Sequence, residues 1–558
     1  MIVRFLFAAM ASLALAACAT APAYDTIIRG GTVYDGTGAA GVAADVAIEG
    51  DRIAAVGDLG KATAATEIDA SGKAVAPGFI NVLSWATETL IEDGRGESDL
   101  LQGVTLEVMG EGWSMGPLNE AMRAESLKQQ GDIRFDIPWT SLGEYLDHLE
   151  TRGVSPNVAS FVGATTVRIH ELGYEDRAPT AEELARMQAL VREAMREGAL
   201  GVGASLIYAP AFYARTDELI ALTQAAAEFG GGYIAHMRSE GDRYLEAIDE
   251  TIAIARAANT RAQIYHLKPA GKANWAKSEA GIARLDAARA DGVDITANIY
   301  TYTAGATGLN ATMPPWVQEG GHDAWVARLK DPNIRKRVIK EMRAPAQGWE
   351  SLLQLAGGAE NVLLIGFKND KLKPLTGKTL AEVAKARRSS PEDTIIDLVI
   401  EDDSRVDTAY FLMSEDNIRR NIQWPHLMFG SDEGAYAPAG VFLKSNAHPR
   451  AYGTFARLLG RYVREENVIP LEEAIRRLTS LAADSLRLKE RGRLVPGHFA
   501  DIVVFDPATI GDRATYDSPH QLAAGVETVF VNGALTVSGG KHTGAKAGRV
   551  VRGPGWTQ

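Results

Sequence analysis

The stretch GYIAHMRSEGDRYLEAIDETIAIARAANTRAQIYHLK, residues 232–268, decides the fold class. Its apolar start, Gly232 to His236, is typical of a buried strand, and Tyr244 to Ala258 has the spacing of an amphipathic helix. A second apolar strand is predicted from Ala262 to His266. Strand, helix and strand at this spacing predict a βαβ unit of a parallel sheet.

The same alternation extends to both sides of this unit. Further predicted strands and helices are Ala159 to Gly163, Ala181 to Glu197, Gly201 to Gly203, Thr216 to Phe229, Ile282 to Ala290 and Val293 to Ala297. Alternation over roughly 400 residues fits an α/β fold of the (β/α)8 TIM-barrel type, which we expect over residues 77–485. A doubly wound sheet is the competing architecture, but it would need a glycine-rich phosphate turn after its first strand, which the sequence lacks there. The alternation of strands and helices is interrupted over about 303–385, which predicts an insertion there.

Short alternating strands flank this span at both ends of the chain. Residues 25–76 and 486–556 both carry such runs, separated by turn residues. We therefore expect a small β-sandwich domain built from both chain ends, with the barrel inserted between them. Two unrelated caps are the alternative.

The first residues have the pattern of an export signal. The apolar run from Phe5 to Ala17 is shorter than the ~20 residues of a membrane-spanning helix and has the length of a secretory signal. It ends in Leu15-Ala16-Ala17-Cys18, which resembles the lipobox of bacterial lipoproteins, and the alanine that follows resembles an outer-membrane sorting signal. We expect a signal peptide over 1–17, a lipidated Cys18, a linker over 18–24, and a periplasmic protein anchored to the outer membrane. A signal-peptidase site beside a chance cysteine is the alternative.

Composition narrows the classes of site and partner. The 558 residues are 46% hydrophobic and 23% charged, which is ordinary for a globular protein. A single cysteine excludes a disulfide framework and any cysteine-rich zinc or iron–sulfur site, so a metal must be held by His, Asp or Glu. The net charge of −13 argues against nucleic-acid binding and against a basic membrane surface. We expect a small-molecule substrate, with membrane contact only through the lipid.

Four residues at strand ends form a candidate site. His236 and His266 end two successive strands, where catalytic groups gather in a barrel, although each alone could be a structural histidine. Glu111 follows the apolar run Thr105 to Met109 between two glycines and is the candidate third ligand of a zinc ion; a solvated turn carboxylate is the alternative. Asp432 follows a late apolar run and could act as general base and then general acid beside a metal-activated water.

Together with other ordered motifs, these residues resemble the amidohydrolase superfamily and, within it, the D-aminoacylase (N-acyl-D-amino-acid deacylase) branch. The resemblance covers nearly the whole chain after the signal peptide. The motifs that carry it are Ile28 to Gly36, Ala76 to Ile80, Gln102 to Thr105, Gly198 to Tyr213, Ala235 to Arg238, His266 to Lys268, Tyr302 to Gly305, Pro314 to Trp316, Gly430 to Asp432, His448 to Arg450 and Gly497 to Asp501.

The sequence departs from the superfamily at the first metal motif. Where the family has His-x-His, this chain has Leu83 and Trp85, so a conventional binuclear centre is not available. In D-aminoacylases the more important zinc is held by a cysteine and two histidines; the cysteine aligns with Glu111 and the histidines with His236 and His266. The resemblance thus implies one zinc ion in a Glu-His-His site, with other divalent metals as alternatives.

The resemblance also implies a reaction. Zinc would polarise the scissile carbonyl and lower the pKa of its water toward ~7, and Asp432 would move the proton from that water to the leaving amine. Lys268 and Tyr208 match family positions that contact the substrate's carboxylate or carbonyl, and Arg238 is a further candidate for this contact. An ion pair internal to the barrel is the alternative for Lys268.

The expected function is therefore metal-dependent hydrolysis of an amide, as an N-acyl-D-amino-acid deacylase whose substrate bears a carboxylate. A dipeptidase or a cyclic-amide hydrolase of the same superfamily is an alternative. Another is a non-catalytic binding lipoprotein that lost its metal, which Leu83 and Trp85 motivate. The enzyme is favoured because the other ligand positions are all kept.

Overall fold

The structure is a computed structural model that describes residues 23–557. The predicted signal peptide and the lipidation at Cys18 lie outside the described residues. Within the described part of the chain, no helix combines the length and the apolar character needed to cross a membrane.

The strands are, in chain order, β1 (Tyr24–Val33), β2 (Val42–Glu49), β3 (Arg52–Gly57), β4 (Ala64–Asp69), β5 (Ala74–Pro77), β6 (Phe79–Asn81), β7 (Val104–Met109), β8 (Asn157–Ser160), β9 (Val162–Gly163), β10 (Gly201–Ser205), β11 (Gly232–His236), β12 (Ala262–Ile264), β13 (Ile295–Ile299), β14 (Ala304–Gly308), β15 (Val362–Gly366), β16 (Asp407–Phe411), β17 (Leu427–Phe429), β18 (Ile502–Phe505), β19 (Val526–Val531), β20 (Ala534–Ser538) and β21 (Lys541–His542).

The α-helices are α1 (Thr89–Glu92), α2 (Glu97–Leu100), α3 (Glu120–Gln129), α4 (Leu142–Arg152), α5 (Ala164–Leu172), α6 (Ala181–Arg196), α7 (Thr216–Ala227), α8 (Tyr244–Ala258), α9 (Ser278–Ala290), α10 (Gly321–Lys330), α11 (Pro332–Arg343), α12 (Leu352–Leu355), α13 (Leu380–Arg387), α14 (Pro391–Asp402), α15 (Glu415–Gln423), α16 (Arg450–Arg457), α17 (Leu471–Leu478) and α18 (Ser480–Leu486). A π-helix, Leu458–Glu465, continues α16.

Strands from both chain ends form one nine-stranded sheet. Its order is β21-β20-β19-β18-β5-β1-β2-β3, with β4 beside β1. The two ends join where β5 and β18 pair antiparallel, with Pro77 opposite Ile502 and Ala74 opposite Phe505. Both chain ends contribute apolar side chains, among them Val46 and Phe530, to one buried cluster. The domain boundaries drawn from the sequence stay a prediction.

The middle of the chain carries the parallel strands that position the candidate site. They form a three-stranded sheet, β6-β7-β8, and a six-stranded sheet, β9-β10-β11-β12-β13-β17, each with parallel pairing throughout. The Val82 N–H donates to the Phe429 carbonyl at 3.4 Å, and the Leu200 N–H donates to the Ser160 carbonyl at 2.9 Å, so backbone hydrogen bonds connect the two sheets. Because parallel strands end at a common edge, side chains that follow different strands can converge there.

The break in the strand–helix alternation is longer than the sequence predicts. Antiparallel strands in the order β14-β16-β15, together with α10 to α14, occupy residues 304–411 rather than 303–385. The difference comes from β16, whose first and last residues are exposed and which lies between two strands that precede it in the chain. Such a short strand gives no pattern that distinguishes it from a return to the parallel sheet.

Candidate metal centre

Glu111 is held at the end of β7 by a tightly packed glycine turn. Gly110 and Gly112 have φ values of +102° and +70°. A Cβ on Gly110 would lie 2.3 Å from the Phe161 carbonyl oxygen, and one on Gly112 would lie 2.6 Å from the backbone nitrogen of Ser205. Both positions therefore require glycine. The turn brings the Glu111 carboxylate inward, where only 4% of the residue is exposed.

Two histidines face this carboxylate from neighbouring strands. His236 is the last residue of β11, and His266 lies two residues after the end of β12. His266 has a φ of +33°, and its N–H donates to Asn298 Oδ1 at 2.8 Å, which holds this uncommon backbone conformation. The two imidazole rings are 4.5 Å apart between centroids and nearly perpendicular, at 82°.

The three side chains converge on one point. Glu111 Oε1 lies 3.2 Å from His236 Nδ1 and 3.2 Å from His266 Nε2. All three candidate ligand atoms lie within 4.8 Å of one another, and all three residues are buried. One carboxylate oxygen and two imidazole nitrogens are the donor set of a catalytic zinc site with three protein ligands. The residues therefore fit a zinc ion or a similar divalent metal.

A second carboxylate, Glu240, lies behind both histidines. Its Oε1 is 2.8 Å from His266 Nδ1, and its Oε2 is 4.0 Å from His236 Nε2, which has no hydrogen-bond partner in the described structure. Lys268 Nζ donates to Glu240 Oε1 at 2.6 Å. A carboxylate that accepts from the outer nitrogen of a histidine fixes the tautomer and leaves the inner nitrogen free to bind a metal. Lys268 Nζ also lies 2.8 Å from His266 Nδ1, so Glu240 and Lys268 together hold the outer nitrogen of His266.

The pKa shifts follow from this network. Burial raises the pKa of Glu111, but hydrogen bonds from His236 and His266 outweigh it and hold that pKa well below its usual range. Burial and Lys268 both lower the pKa of His266, while Glu240 and Glu111 act in the opposite direction and raise it to about 9. Without a metal, a proton therefore resides on His266 beside an ionised Glu111, and metal binding must displace it.

Asp432 lies on the other side of Glu111 in a strained turn after β17. Its φ is +54°, and its N–H donates to the Leu83 carbonyl at 2.9 Å. Arg450 contacts it twice, with Nη1 2.8 Å from Asp432 Oδ2 and Nη2 donating to the Asp432 carbonyl at 2.6 Å. Burial raises the pKa of Asp432, and Arg450 opposes this. A buried carboxylate with a raised pKa suits proton transfer near neutral pH.

Trp85 completes the arrangement. Its indole Nε1–H donates to Glu111 Oε2 at 2.9 Å and to Asp432 Oδ1 at 3.2 Å. The side chain at the position of a missing family histidine therefore contacts the carboxylates of Glu111 and Asp432.

Tyr208 also lies at the site. Its ring packs edge-on against His236, with centroids 5.3 Å apart. Burial and the charge of Glu111 raise the pKa of its hydroxyl, so Tyr208 stays protonated and remains a hydrogen-bond donor.

Arg238 is committed to protein acceptors. Its Nε and Nη2 donate to Glu250, and Nη1 and Nη2 donate to the Phe212 and Ala214 carbonyls. In the structure this guanidinium holds the turn after β10 against α8. A contact between Arg238 and a substrate carboxylate stays a prediction.

The structure thus brings together Glu111, His236, His266 and Asp432, as the sequence predicts. Sequence reasoning missed the contacts of Trp85, Glu240 and Arg450. Arg450 appeared only within a matching motif, and Glu240 follows a predicted strand by four residues, a spacing that carries no signal of its own.

The family comparison agrees with this geometry. A model of the amidohydrolase family matches residues 66–537. The chain belongs to the amidohydrolase family. D-aminoacylase from Alcaligenes xylosoxydans xylosoxydans is 34% identical to this amidohydrolase over 532 residues, which cover 95% of this chain and 97% of that one. The predicted resemblance is confirmed, and the protein is a hydrolase of amide bonds.

Two solved structures are similar over the same length. The N-acyl-D-glutamate deacylase of Bordetella bronchiseptica, complexed with zinc and a phosphonate that mimics the tetrahedral intermediate, is 31% identical, with a TM-score of 0.79 over 95% of this chain and 99% of that one. A D-aminoacylase structure, described for one-metal activation and second-metal attenuation of a binuclear centre, is 34% identical, with a TM-score of 0.79 over 95% of this chain and 100% of that one. Both similarities support a mixed α/β amidohydrolase fold and a divalent metal.

Replacing Glu240 by Gln is expected to weaken metal binding to this amidohydrolase about 10- to 100-fold, because an uncharged amide fixes the His266 tautomer less strongly. Competition with a chromophoric chelator measures this affinity. Glu250→Gln is the matched control, since Glu250 pairs with Arg238 and contacts neither histidine in the described structure. Equal metal affinity of Glu240→Gln and wild type would show that Glu240 does not tune the ligand.

Proposed function

We propose that this amidohydrolase removes the acyl group from N-acyl-D-amino acids, using a single zinc ion held by Glu111, His236 and His266. The convergence of one candidate ligand atom from each of these three buried residues, all within 4.8 Å of one another, is the observation that carries the proposal. Its support comes from the relatives, whose names describe deacylation of N-acyl-D-amino acids or a bound zinc ion.

A divalent ion at this centre supplies a Lewis acid that polarises the scissile carbonyl and acidifies water. Side chains of the protein carry out the proton transfer. Asp432 accepts the proton of the attacking water at its carboxylate and returns it to the leaving amine. Arg450 and Trp85 hold the Asp432 carboxylate from two sides, which fixes the direction of this transfer.

Two residues are proposed to contact the substrate. Tyr208 keeps its proton and lies against His236, so its hydroxyl can donate to the carbonyl oxygen as negative charge develops there. Lys268 supplies a buried positive charge near the metal ligands, although Glu240 already pairs with it. A substrate carboxylate would therefore share Lys268 with Glu240.

The fold proposed to hold this site is a closed (β/α)8 barrel. The two parallel sheets each contribute strands whose carboxyl ends carry site residues: β7 leads to Glu111, and β11 and β12 lead to the histidines. The hydrogen bonds of Val82 and Leu200 between the sheets support closure.

We also propose that the protein is exported and lipid-anchored at Cys18. The apolar run from Phe5 to Ala17 and the motif that ends in the chain's single cysteine support this. Fatty-acid labelling of the protein in cells, and its loss in Cys18→Ser, tests the anchor.

Hydrolysis of paired N-acetyl-D- and N-acetyl-L-amino acids tests the function. We expect amine release from the D-substrates, loss of this activity on chelation and recovery on addition of zinc. Zinc content is measured on the same samples by plasma mass spectrometry. A protein that binds zinc and remains inert toward both series would rule out the deacylase, and L-substrates as the better ones would rule out the D preference.

A further inference from the structure

The backbone places Trp85 against the site from the segment that follows β6. Three hydrogen bonds pair this segment with the end of β17 and the turn after it: Val82 N–H to the Phe429 carbonyl at 3.4 Å, Asp432 N–H to the Leu83 carbonyl at 2.9 Å, and Trp85 N–H to the Glu433 carbonyl at 2.9 Å. The position of Trp85 relative to Asp432 is therefore fixed by main-chain contacts.

The indole N–H occupies the point where two buried carboxylates meet. Glu111 and Asp432 are only 4% and 8% exposed, and each turns one oxygen toward Trp85 Nε1, at 2.9 Å and 3.2 Å. The other oxygen of each carboxylate faces a different partner: the histidines for Glu111, and Arg450 for Asp432. Two convergent carboxylate oxygens in a buried site are an arrangement that attracts a cation.

The side chains around this point do not fit a second metal. Leu83 is buried in an apolar cluster with Leu106 and Met428, and its side chain has no ligand atom. The indole of Trp85 can donate but cannot bind a metal through its N–H nitrogen. A cation between Glu111 and Asp432 would have to displace the ring that now fills the space.

We propose that Trp85 takes the place of a second metal ion: its N–H bridges Glu111 and Asp432, orients both carboxylates, and restricts the centre to one metal. The inference rests on the proposed one-zinc hydrolase. In this arrangement Glu111 is free to bind metal through Oε1 because Oε2 is held by Trp85. Trp85 is a positioning residue, since it acts on the reaction through Asp432.

Two variants of the full-length protein separate the bulk of the indole from its N–H. Trp85→Phe keeps an aromatic ring and removes the donor, whereas the double variant Leu83→His/Trp85→His restores two ligands. Trp424→Phe is the matched control, because Trp424 also donates its indole N–H to a carboxylate, Asp286 Oδ1 at 2.7 Å, outside the metal centre.

The first readout is the zinc bound per chain after incubation with excess zinc and gel filtration. We expect one ion for wild type, Trp85→Phe and Trp424→Phe, and two for the double variant. Two tightly bound ions in the wild type would overturn the proposal, whatever the activity. If the double variant misfolds, wild type and Trp85→Phe still decide this point.

The second readout is kinetic. Loss of a hydrogen bond to a charged group predicts a kcat about 10- to 100-fold lower in Trp85→Phe, with little change in KM. The acid limb of the pH profile should move to higher pH, because the lost donor had stabilised the ionised form of Asp432. Trp424→Phe should resemble wild type. An unchanged kcat and pH profile in Trp85→Phe would overturn the positioning role. A wild-type protein that is inert toward every N-acyl amino acid would instead refute the proposed substrate. In that case the number of zinc ions bound per chain still tests the proposal for Trp85.

Discussion

Glu111→Ala is expected to lose bound zinc and hydrolytic activity together. Glu111 supplies the single anionic ligand atom among the three that converge, and His236 and His266 alone leave a two-ligand site. Removal of a direct ligand should weaken zinc binding more than the about 10- to 100-fold that removal of an outer partner costs. Losing several kcal/mol of transition-state stabilisation corresponds to a fall in kcat/KM of about 1,000-fold.

The control for this prediction is Glu111→Cys. A thiolate is an anionic zinc ligand, so this variant should keep zinc, whereas Glu111→Ala should not. Zinc content by plasma mass spectrometry and kcat/KM on the best N-acyl-D-amino acid are measured side by side. Unchanged zinc content in Glu111→Ala would show that this carboxylate is not a ligand. Circular dichroism spectra that match wild type exclude misfolding as the cause of the loss.

The convergence of the three candidate metal ligands could be predicted from the sequence because these residues lie at or just after the ends of regular elements. His236 closes β11 and His266 follows β12 by two residues. The helix between them has a clear amphipathic repeat, and the structure places it at the predicted residues, Tyr244–Ala258. The position of Glu111 could be predicted because its flanking glycines indicate a tight turn after a buried strand. The hydrophobic period and the apolar runs thus locate residues within two positions of a strand end.

The contacts around the ligands could not be predicted in this way. Glu240 lies in the loop after β11, where no periodicity sets the direction of a side chain, and it reaches His266 across strands. Trp85 could be judged from sequence only by its volume, while its function depends on where one N–H points. Arg450 begins a helix that packs near the site from 18 residues beyond Asp432. Each contact depends on tertiary geometry rather than on local pattern.

In the fold, too, local sequence patterns could be predicted and contacts between distant segments could not. The parallel units were visible because each strand and helix is a contiguous, patterned segment. The pairing of β5 with β18 joins residues more than 400 positions apart, such as Pro77 and Ile502. The sequence indicated it only through the short alternating strands that are predicted at both chain ends. The place of β16 in its sheet could not be predicted, because β16 lies between β14 and β15, which both precede it in the chain.

Asp432→Asn is expected to lower kcat by about 100- to 10,000-fold while zinc stays bound, because an amide cannot accept the proton of the attacking water. The substitution keeps the shape of the side chain and its contact with Trp85 Nε1 through the amide oxygen. In wild type, burial raises the pKa of Asp432, so the acid limb of kcat should lie above the usual range of an aspartate, with activity falling as pH drops through that pKa. This limb should be absent from the residual activity of Asp432→Asn.

Glu433→Gln is the matched control, since Glu433 is the adjacent buried carboxylate but accepts its hydrogen bond from the Tyr436 hydroxyl, at 3.1 Å. Burial raises the pKa of Glu433 to about 7, so near neutral pH this group is already partly protonated and its amide should change kcat little. Zinc content, kcat and the pH profile are compared for the three proteins. If Asp432→Asn loses its zinc, Asp432 is a ligand rather than the base; if it keeps zinc and full kcat, another group moves the proton. A selective loss of kcat in Asp432→Asn, with zinc retained in both variants, assigns proton transfer to the carboxylate that Trp85 and Arg450 hold.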